Sequence, residues 1–502
     1  MSLRLEDGAA LTRDERLCAD VVVVGTGPGG AAAGREAARA GAKVLFLEEG
    51  PFVAPERFDE DGFRAMARLY RDLGAQLSLG APPMPIVQGR AVGGTSVVNG
   101  AISWRLPDDV RRAWIDEDPA LCEVLDEQTL QGLFDELERE LHIAPTDPAI
   151  AGPNNLLLAK GAEALGLEHR AIRRNVEGCL GLGRCLQGCP KGKKRSMERT
   201  LLPDACAHGA VIWSSVRARR VLTEGGRAIG VEAVSSSGAR VSAVARHAVV
   251  LAASAVQTPL LLLQSGLRQG PVGEGFMCHP GVSVAGRFDD DVRLWTGATQ
   301  GHEVIGLRRE GIKLEALGYD MAIVAGRLKG VGRDLGRALD EMRQEAHWGA
   351  AIRAEARGRV RRGLTGPRIT YSLTRRDMEK VRRAVSVLGR LFFAAGARSV
   401  SPGVFGVKER VDDPRAMERF ADDGPLTPSA YTMAATHLFG TARMGGDPAR
   451  TVVRPDFQHH AVRGLYVADS SVFPSSTGVN PQTTILALAT LCGRAVVSQP
   501  RG

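Results

Sequence analysis

Long apolar runs are missing from this sequence of 502 residues. None of its apolar stretches reaches the roughly 18 residues that a membrane-spanning helix needs. The N-terminal segment, MSLRLEDGAALTRDERLCAD, mixes charges and lacks the apolar core of a secretory signal peptide. These absences argue against a membrane span and favour a cytoplasmic location.

Aromatic residues are scarce, at 5% of the chain, and the basic residues behind a net charge of +8 are scattered rather than massed. The sequence therefore lacks the interleaved basic and aromatic pattern of nucleic-acid-binding surfaces, and we expect no nucleic-acid partner. With eight residues, cysteine is too infrequent for a disulfide scaffold. Five cysteines are dispersed and are expected to be small buried residues, namely Cys18, Cys122, Cys206, Cys278 and Cys492.

The first informative feature is a dinucleotide-binding pattern near the N-terminus. An apolar VVVV run precedes Gly25, Gly27 and Gly30 in G-x-G-x-x-G spacing, and an Ala-rich helix is predicted over 31–40. These glycines allow a tight turn, close approach of the backbone to a pyrophosphate, and close packing of the helix on the strand. Glu48 ends the next predicted strand, where an acid accepts hydrogen bonds from a ribose. The unit predicts dinucleotide binding without separating FAD from NAD.

Glycine-rich segments with polar residues recur further along the chain. GRAVGGTSVVNG contains Gly93, Thr95 and Asn99, and it offers backbone N–H groups and hydroxyls in a concave turn. Near the carboxyl end, THLFGTARMGGDP contains His437, and a predicted strand LYVAD leads into a loop that presents Asn480.

Taken in order along the whole chain, these motifs resemble those of the glucose–methanol–choline (GMC) oxidoreductases. The resemblance rests on GTGPGG…LEEG, GRAVGGTSVVNG, VVLAASAVQTPLLLLQSG, VGEGFMCHP, HLFGTARMGGDP and VADSSVFPSSTGVNPQTTILALA. It implies FAD as the cofactor and an alcohol as the substrate that is oxidised. Some members attach FAD to a histidine just before the Asn of the glycine-rich loop. Because Val98 stands there, we expect noncovalent FAD.

The predicted fold class is α/β. We expect a discontinuous Rossmann-like FAD-binding domain over 1–105, 200–285 and 430–502, and a mostly helical insertion over 106–199 that ends in a cysteine-rich loop. A substrate-binding domain is predicted over 286–429, with an antiparallel sheet flanked by helices. Its segment RRDMEKVRRAVSVLGRLFFAAGA predicts a long amphipathic helix.

The resemblance also implies roles for individual residues. His437, at the head of H-x-x-G-T, and Asn480 match the two catalytic positions of the family. Positions that bind the cofactor match Gly25, Gly27, Gly30, Glu48, Gly93, Thr95, Asn99, Val216, Asp469, Pro481 and Gln482. The remaining histidines, among them His279, are expected to be packed structural residues.

A histidine and an asparagine suit the oxidation of an alcohol, which removes a hydroxyl proton and a hydride from one carbinol. A neutral imidazole can accept the proton near neutral pH, and an amide N–H can stabilise the developing alkoxide. The flavin accepts the hydride. The intact pair argues against a different class of function, a flavin-binding protein without turnover.

Three cysteines, Cys179, Cys185 and Cys189, lie together in CLGLGRCLQGCPKGKKRS with C-x5-C-x3-C spacing. Thiolates ligate iron–sulfur clusters, and C-x3-C-P is the tail of the bacterial ferredoxin pattern, so a [3Fe–4S] cluster is one interpretation. The resemblance adds support, because some bacterial GMC dehydrogenases hold a cluster with this spacing. Structural zinc would need a fourth ligand, and none is spaced nearby. Free thiols or a disulfide are further alternatives, although a reducing cytoplasm disfavours the disulfide.

The identity of the electron acceptor depends on whether the three cysteines hold a cluster. With a cluster, the protein would be a dehydrogenase that passes electrons to a carrier protein, and Lys191, Lys193, Lys194 and Arg195 could dock an acidic carrier or form a solvated basic loop. Without one, an oxidase of the sterol or long-chain-alcohol type that uses O2 is the alternative. The substrate region has apolar surface and few charges apart from arginines, so we expect a neutral or lipophilic alcohol.

Overall fold

The computed structural model describes residues 2–326, 328, 330–364 and 366–498. The strands are β1 Leu5–Asp7, β2 Glu15–Val24, β3 Val44–Leu47, β4 Ile143–Pro145, β5 His169–Ala171, β6 Arg173–Asn175, β7 Val211–Ser214, β8 Val216–Glu224, β9 Arg227–Ser235, β10 Arg240–Leu251, β11 Glu274–Arg287, β12 His302–Val304, β13 Ile312–Ala316, β14 Glu345–Ile352, β15 Gly358–Arg362, β16 Pro367–Thr370, β17 Ser399–Ser401, β18 Ala434–Phe439 and β19 Leu465–Val467.

Helices account for most of the remaining regular structure. They are α1 Pro28–Arg39, α2 Gly62–Leu69, α3 Asp108–Glu117, α4 Glu127–Glu140, α5 Pro148–Ala151, α6 Pro153–Ala164, α7 Leu201–Ala207, α8 Ser254–Gln264, α9 Met321–Ala325, α10 Arg333–Glu341, α11 Arg375–Ala395, α12 Pro414–Asp423 and α13 Gln482–Ser498. Among the described residues, no helix combines the length and the apolarity needed to cross a bilayer.

The first sheet is built around the VVVV run. Its strand order is β1-β7-β3-β2-β10-β9-β8, with β19 also beside β10. Strand β9 runs antiparallel to both of its neighbours, β8 and β10, and the other pairs are parallel. Parallel strands covered by helices on both faces are apolar throughout, and Val21, Val22 and Val23 are completely buried. The carboxyl ends of β2, β3, β10 and β19 lie at one edge, where the predicted cofactor residues follow the strands.

The second sheet is antiparallel. Its order is β16-β15-β11-β14-β13-β12-β5, and β17 and β18 also pair with β11. Helix α11, the predicted amphipathic helix, covers one face, and Trp348 stacks on Phe392 with 3.7 Å between ring centroids. A capping box between Thr374 and Asp377 begins this helix.

The predicted α/β fold, with a dinucleotide-type sheet and an antiparallel sheet, is confirmed. Each sheet has its own apolar core. The predicted domain boundaries differ in detail from the sheets, because β11 and β18 pair in the second sheet although 274–285 and 434–439 were assigned to the FAD-binding stretches. The insertion contains α3 to α6, but β5, which follows them, extends the second sheet.

Candidate active site

One large cavity lies between the two sheets. Its volume is about 1550 Å³, and its wall runs from Gly27 and Glu48 to His437 and Asn480. Sites for a single small ligand are typically about 300–1,000 Å³. The cavity therefore has room for a dinucleotide and a substrate side by side.

The dinucleotide motif forms one end of the cavity through close backbone contacts. Gly25 adopts a φ of 101°, which favours glycine. A Cβ on Gly30 would lie 2.0 Å from the carbonyl oxygen of Gly25, so α1 can pack on β2 only with glycine there. Helix α1 begins at Pro28, and its first-turn N–H groups are suited to an anionic phosphate.

Glu48 organises the loop beside this helix. Its carboxylate accepts hydrogen bonds from the N–H and the hydroxyl of Thr26, at 3.0 and 2.6 Å, and from the N–H of Gly50 at 2.8 Å. Burial raises the pKa of Glu48. The backbone N–H of Val216 donates to the carbonyl oxygen of Glu48 at 2.8 Å, which places both predicted residues at one point of the cavity wall.

The second glycine-rich loop faces the first. A Cβ on Gly94 would lie 2.6 Å from the Cα of Gly27, so the two backbones nearly touch. The N–H of Gly93 donates to the hydroxyl of Thr26 at 3.0 Å, and the hydroxyl of Thr95 accepts from Gly89 at 3.0 Å. Thr26 thus ties the two loops together, a role that the sequence motif did not reveal.

The carboxyl-terminal residues complete the same wall. The Asp469 carboxylate accepts hydrogen bonds from the N–H of Ser254 and the hydroxyl of Thr258, at 2.9 and 2.5 Å, and this network fixes the strand end. The Asn99 amide donates to the side-chain oxygen of Gln482 at 2.6 Å, where α13 begins. Pro481 also lines the cavity.

Of the cofactor residues predicted from sequence, nearly all line this cavity, together with both predicted catalytic residues. Gly30 and Gly93 lie behind the wall and hold the backbone in place.

His437 and Asn480 lie next to each other, with 3.2 Å between the histidine Nε2 and the asparagine Nδ2. The asparagine Oδ1 is buried, and no hydrogen-bond partner for it occurs in the described part of the chain. Burial, with a smaller contribution from the positive charge of Lys313, lowers the pKa of His437 to about 3. The pair therefore combines a neutral imidazole with an unsatisfied amide oxygen.

His279 was expected to be a packed structural residue, and this prediction missed its contact with the site. Its Nδ1 lies 3.0 Å from Nδ1 of His437. On the other side, its Nε2 accepts a hydrogen bond from the N–H of Gly478 at 3.1 Å and lies 2.8 Å from the hydroxyl of Ser476. The HP dipeptide in β11 carried no signal of this contact, which depends on the pairing of β11 with β18.

The cysteine loop reaches the cavity wall through Leu186, but Cys179, Cys185 and Cys189 themselves do not line the cavity. Arg174, which is fully buried, directs Nη2 at Sγ of Cys185 (3.1 Å) and Nη1 at Sγ of Cys179 (4.0 Å). Although burial opposes it, the charges of Arg174 and Lys194 lower the pKa of Cys185. Cys189 accepts a hydrogen bond from a backbone N–H.

Lys194 does not belong to a docking surface, which corrects one prediction. It is only 2% exposed, and its ammonium donates to the carbonyl oxygens of Val97, Asn99 and Cys185. Within the described residues, no three His, Cys, Asp or Glu side chains are grouped so that they could hold a metal ion.

Comparison with known proteins matches residues 66–281 and 354–489 to the two parts of the GMC oxidoreductase family. The chain belongs to this family. A GMC-type oxidoreductase of Mycobacterium tuberculosis, itself uncharacterised, is 37% identical over 96% of this chain and 76% of its own. A long-chain-alcohol oxidase of Arabidopsis thaliana is 30% identical over 96% of this chain and 68% of its own.

Solved structures share the fold of this GMC oxidoreductase at low identity. Pyridoxine 4-oxidase from Mesorbium loti gives a TM-score of 0.72 at 18% identity and covers 96% of this chain and 99% of its own. Formate oxidase from Aspergillus oryzae gives 0.72 at 16% identity, covering 97% of this chain and 99% of its own. Family membership implies FAD, and the facing glycine loops, Glu48 and the cavity volume fit such a cofactor.

Proposed function

We propose that this protein oxidises an alcohol to the carbonyl compound with noncovalently bound FAD. The contact between His437 and Asn480 carries the proposal, because it lies on the wall of the cavity that the dinucleotide motif also lines. When bound, the flavin supplies the acceptor for the hydride. Val98 stands at the position used for covalent attachment in some relatives, which supports a noncovalent cofactor.

The cofactor would be held by the residues that line the cavity's long wall. Gly25 and Gly27 with the first turn of α1 would face the pyrophosphate, and Glu48 and Val216 the nucleoside. Asn99 and Gln482 would hold the opposite end next to the histidine.

His437 and Asn480 would act on the substrate hydroxyl. Burial keeps the imidazole uncharged, so its Nε2 can accept the hydroxyl proton in the tautomer that leaves this atom bare. The Asn480 amide nitrogen has a second N–H besides the one that faces His437, and this N–H can donate to the substrate oxygen as negative charge develops there. Burial of the two side chains lowers the local dielectric and strengthens both interactions.

The test is an anaerobic panel of alcohols mixed with the purified holoenzyme, with flavin absorbance as the readout. His437→Ala should slow the reduction about 100-fold or more, and Asn480→Ala about 100- to 1,000-fold or less. His208→Ala, which changes an exposed histidine, is the matched control, and FAD content should persist in all three. A normal rate of flavin reduction in His437→Ala would refute the assignment of His437 as the base that accepts the hydroxyl proton.

Noncovalent attachment has its own measurement. Acid precipitation of the purified protein should release a yellow chromophore, identified as FAD by chromatography, into the supernatant. Flavin that remained with the pellet would contradict the expectation drawn from Val98.

A dehydrogenase that passes electrons through a cluster at Cys179, Cys185 and Cys189 to a carrier protein is the second candidate. The observation in its favour is the buried positive charge beside these thiols: the Arg174 guanidinium contacts the sulfur atoms of Cys185 and Cys179, and the charge of Lys194 also lowers the pKa of Cys185. The relatives named alcohol oxidases favour the alternative, an oxidase that uses O2.

Iron analysis separates the two. On the cluster proposal, anaerobically purified protein should contain about three iron and four acid-labile sulfide per chain, with an EPR signal that Cys185→Ser abolishes. Active, flavin-replete protein without iron that releases peroxide in air would establish the oxidase instead. Lys191, which is exposed, and Lys193, which is half-buried, remain the lysines of this loop with which a carrier protein could interact.

A further inference from the structure

The second sheet presents an unusual set of side chains to the cavity. Strand alternation directs the large apolar residues of β11, β13 and β14 into the core beneath α11. Apart from Val282, the residues of these strands that reach the cavity wall are small or polar, namely Gly281, Ser283, Ala285, Glu315, Glu345, His347, Gly349, Ala350 and Ala351. This face of the sheet therefore offers hydrogen-bonding groups, whereas apolar side chains such as Val404, Phe405 and Met433 line the cavity elsewhere.

Glu315 is the charged centre of this wall. Its Oε2 accepts a hydrogen bond from the ammonium of Lys313 at 2.6 Å, and its Oε1 accepts one from the Gln300 amide at 2.9 Å. Lys313 also bonds Glu303 at 2.8 Å, and Glu303 is in turn paired with Arg170. Each Glu315 oxygen keeps a further lone pair for a ligand, since a carboxylate oxygen accepts about two hydrogen bonds.

The Glu315–Gln300 pair lies close to the reacting atoms. The Gln300 side-chain oxygen packs against Gly100, where a Cβ would be only 2.0 Å from it, and Gly100 directly follows Asn99 of the cofactor loop. On the other side, Lys313 is near enough to His437 for its charge to contribute to the low pKa of that histidine. The pair therefore lies between the cofactor loop and the catalytic histidine.

The net charge of the side chains around Glu315 determines which class of ligand they can bind. The positive charges of Lys313 and Arg170 balance the negative charges of Glu303 and Glu315, so the four side chains together are neutral. A substrate carboxylate or phosphate would meet the Glu315 oxygens, and a substrate ammonium would compete with Lys313 for them. Uncharged hydroxyl groups can instead donate to Glu315 and exchange hydrogen bonds with Gln300 without disturbing the balance.

We propose that Glu315 and Gln300 bind a second hydroxyl group of the substrate, and that the preferred substrate is a neutral polyhydroxylated alcohol. The proposal rests on the proposed oxidation at His437 and Asn480, and it names the substrate class of that same site. The contact between His437 and Asn480 on the cavity wall marks the place of the reacting hydroxyl, and the Glu315–Gln300 pair marks the place of its neighbour.

The test compares matched alcohols on the holoenzyme, butan-1-ol against butane-1,2,4-triol and decan-1-ol against a hexitol. The wild-type protein should prefer the polyhydroxylated member of each pair in kcat/KM. Glu315→Gln and Gln300→Met should each lower the ratio of triol to butanol by about tenfold to a hundredfold, the effect of losing one hydrogen bond to a charged group. Gln300→Met leaves the ion pairs of Lys313 intact, so it serves if Glu315→Gln folds poorly.

Glu232→Gln is the matched control, because it changes a partly exposed glutamate on the hairpin of the first sheet and should leave the ratio unchanged. If alcohols reduce the flavin with full dependence on His437 but the ratio is the same in all variants, or decan-1-ol is preferred, the substrate class is overturned while the proposed function stands. If no alcohol reduces the flavin, both fail.

Discussion

The Nδ1 atoms of His279 and His437 lie 3.0 Å apart, and this contact decides where the protons of the catalytic histidine reside. The N–H of Gly478 can only donate, so Nε2 of His279 accepts and neutral His279 carries its proton on Nδ1. Nδ1 of His437 then accepts, and the proton of this ring lies on Nε2. The orphaned Oδ1 of Asn480 becomes satisfied if its amide is turned so that this oxygen accepts the Nε2 proton.

His437 with a bare Nε2 is the other tautomer of the same pair. In that form His437 donates from Nδ1 to Nδ1 of His279, and neutral His279 carries its proton on Nε2, where the Ser476 hydroxyl at 2.8 Å can accept it. Ser476 thereby stabilises the base form, while Gly478 stabilises the donor form.

Ser476→Ala should slow flavin reduction about tenfold, because it removes the acceptor for His279 in the base form. Stopped-flow reduction with saturating alcohol measures the rate. Ser475→Ala is the control, because it changes the adjacent serine of the same loop, whose hydroxyl contacts Trp114 rather than His279. The ¹⁵N shifts of labelled histidines should also show more protonated Nε2 on His437 in the Ser476 variant. Equal tautomer populations in wild type and Ser476→Ala would refute the arrangement.

Protonation of His437 should not change the rate of flavin reduction between about pH 8 and about pH 5. The pKa of His437 is lowered to about 3, mainly by burial, so the neutral base form persists until the pH falls toward that value. The ordinary histidine value of about 6.5 would instead give a loss of rate on acidification through pH 6.5. An inflection near that pH which disappears in His437→Gln would contradict the burial found here.

Gly30→Ala should abolish FAD binding or folding of the FAD-binding sheet. Its Cβ would lie 2.0 Å from the carbonyl oxygen of Gly25, and neither backbone can move without displacing α1 from β2. Gly132→Ala in α4, where nothing lies within 4 Å of the added atom, is the control and should be neutral or slightly stabilising. Both variants are compared by their flavin content after purification and by their thermal unfolding midpoints. Full flavin content in Gly30→Ala would show that the close contact is not required.

Lys313→Met should destabilise the protein by about 3–5 kcal/mol, the cost of breaking a buried ion pair from one side. Glu303 is completely buried, and Lys313 separates its carboxylate from that of Glu315, which lies directly opposite on the neighbouring strand. Lys408→Met, an exposed lysine, should change stability by less than about 0.5 kcal/mol. Thermal unfolding of the two holoprotein variants measures the difference in stability. Equal unfolding midpoints for Lys313→Met and Lys408→Met would contradict the predicted destabilisation.

Several features could be predicted from sequence because their signals are local. The G-x-G-x-x-G spacing and the VVVV run identify β2 and α1, since a tight turn and a doubly buried strand require those residue types. His437 and Asn480 could be proposed from ordered motifs, and the structure places them together.

Contacts made across the two sheets had no local signal. His279 looked like one packed histidine among several, and Lys194 like part of a solvated basic run. Lys313 and Glu315 alternate with apolar residues in a short strand, which gives no sign of the cavity that Glu315 lines.

The sequence by itself determined the dinucleotide-binding unit, the long helix α11 and the residue types of the reacting pair, because each depends on neighbours a few positions away along the chain. Only the tertiary structure decided which side chains meet that pair. The pairing of β11 with β18 brings His279 to His437, and the pairing of β12 with β13 sets Glu303 opposite Glu315 with Lys313 between them. Such contacts depend on strand register and on low-dielectric burial, and neither is written in the spacing of residues along one segment.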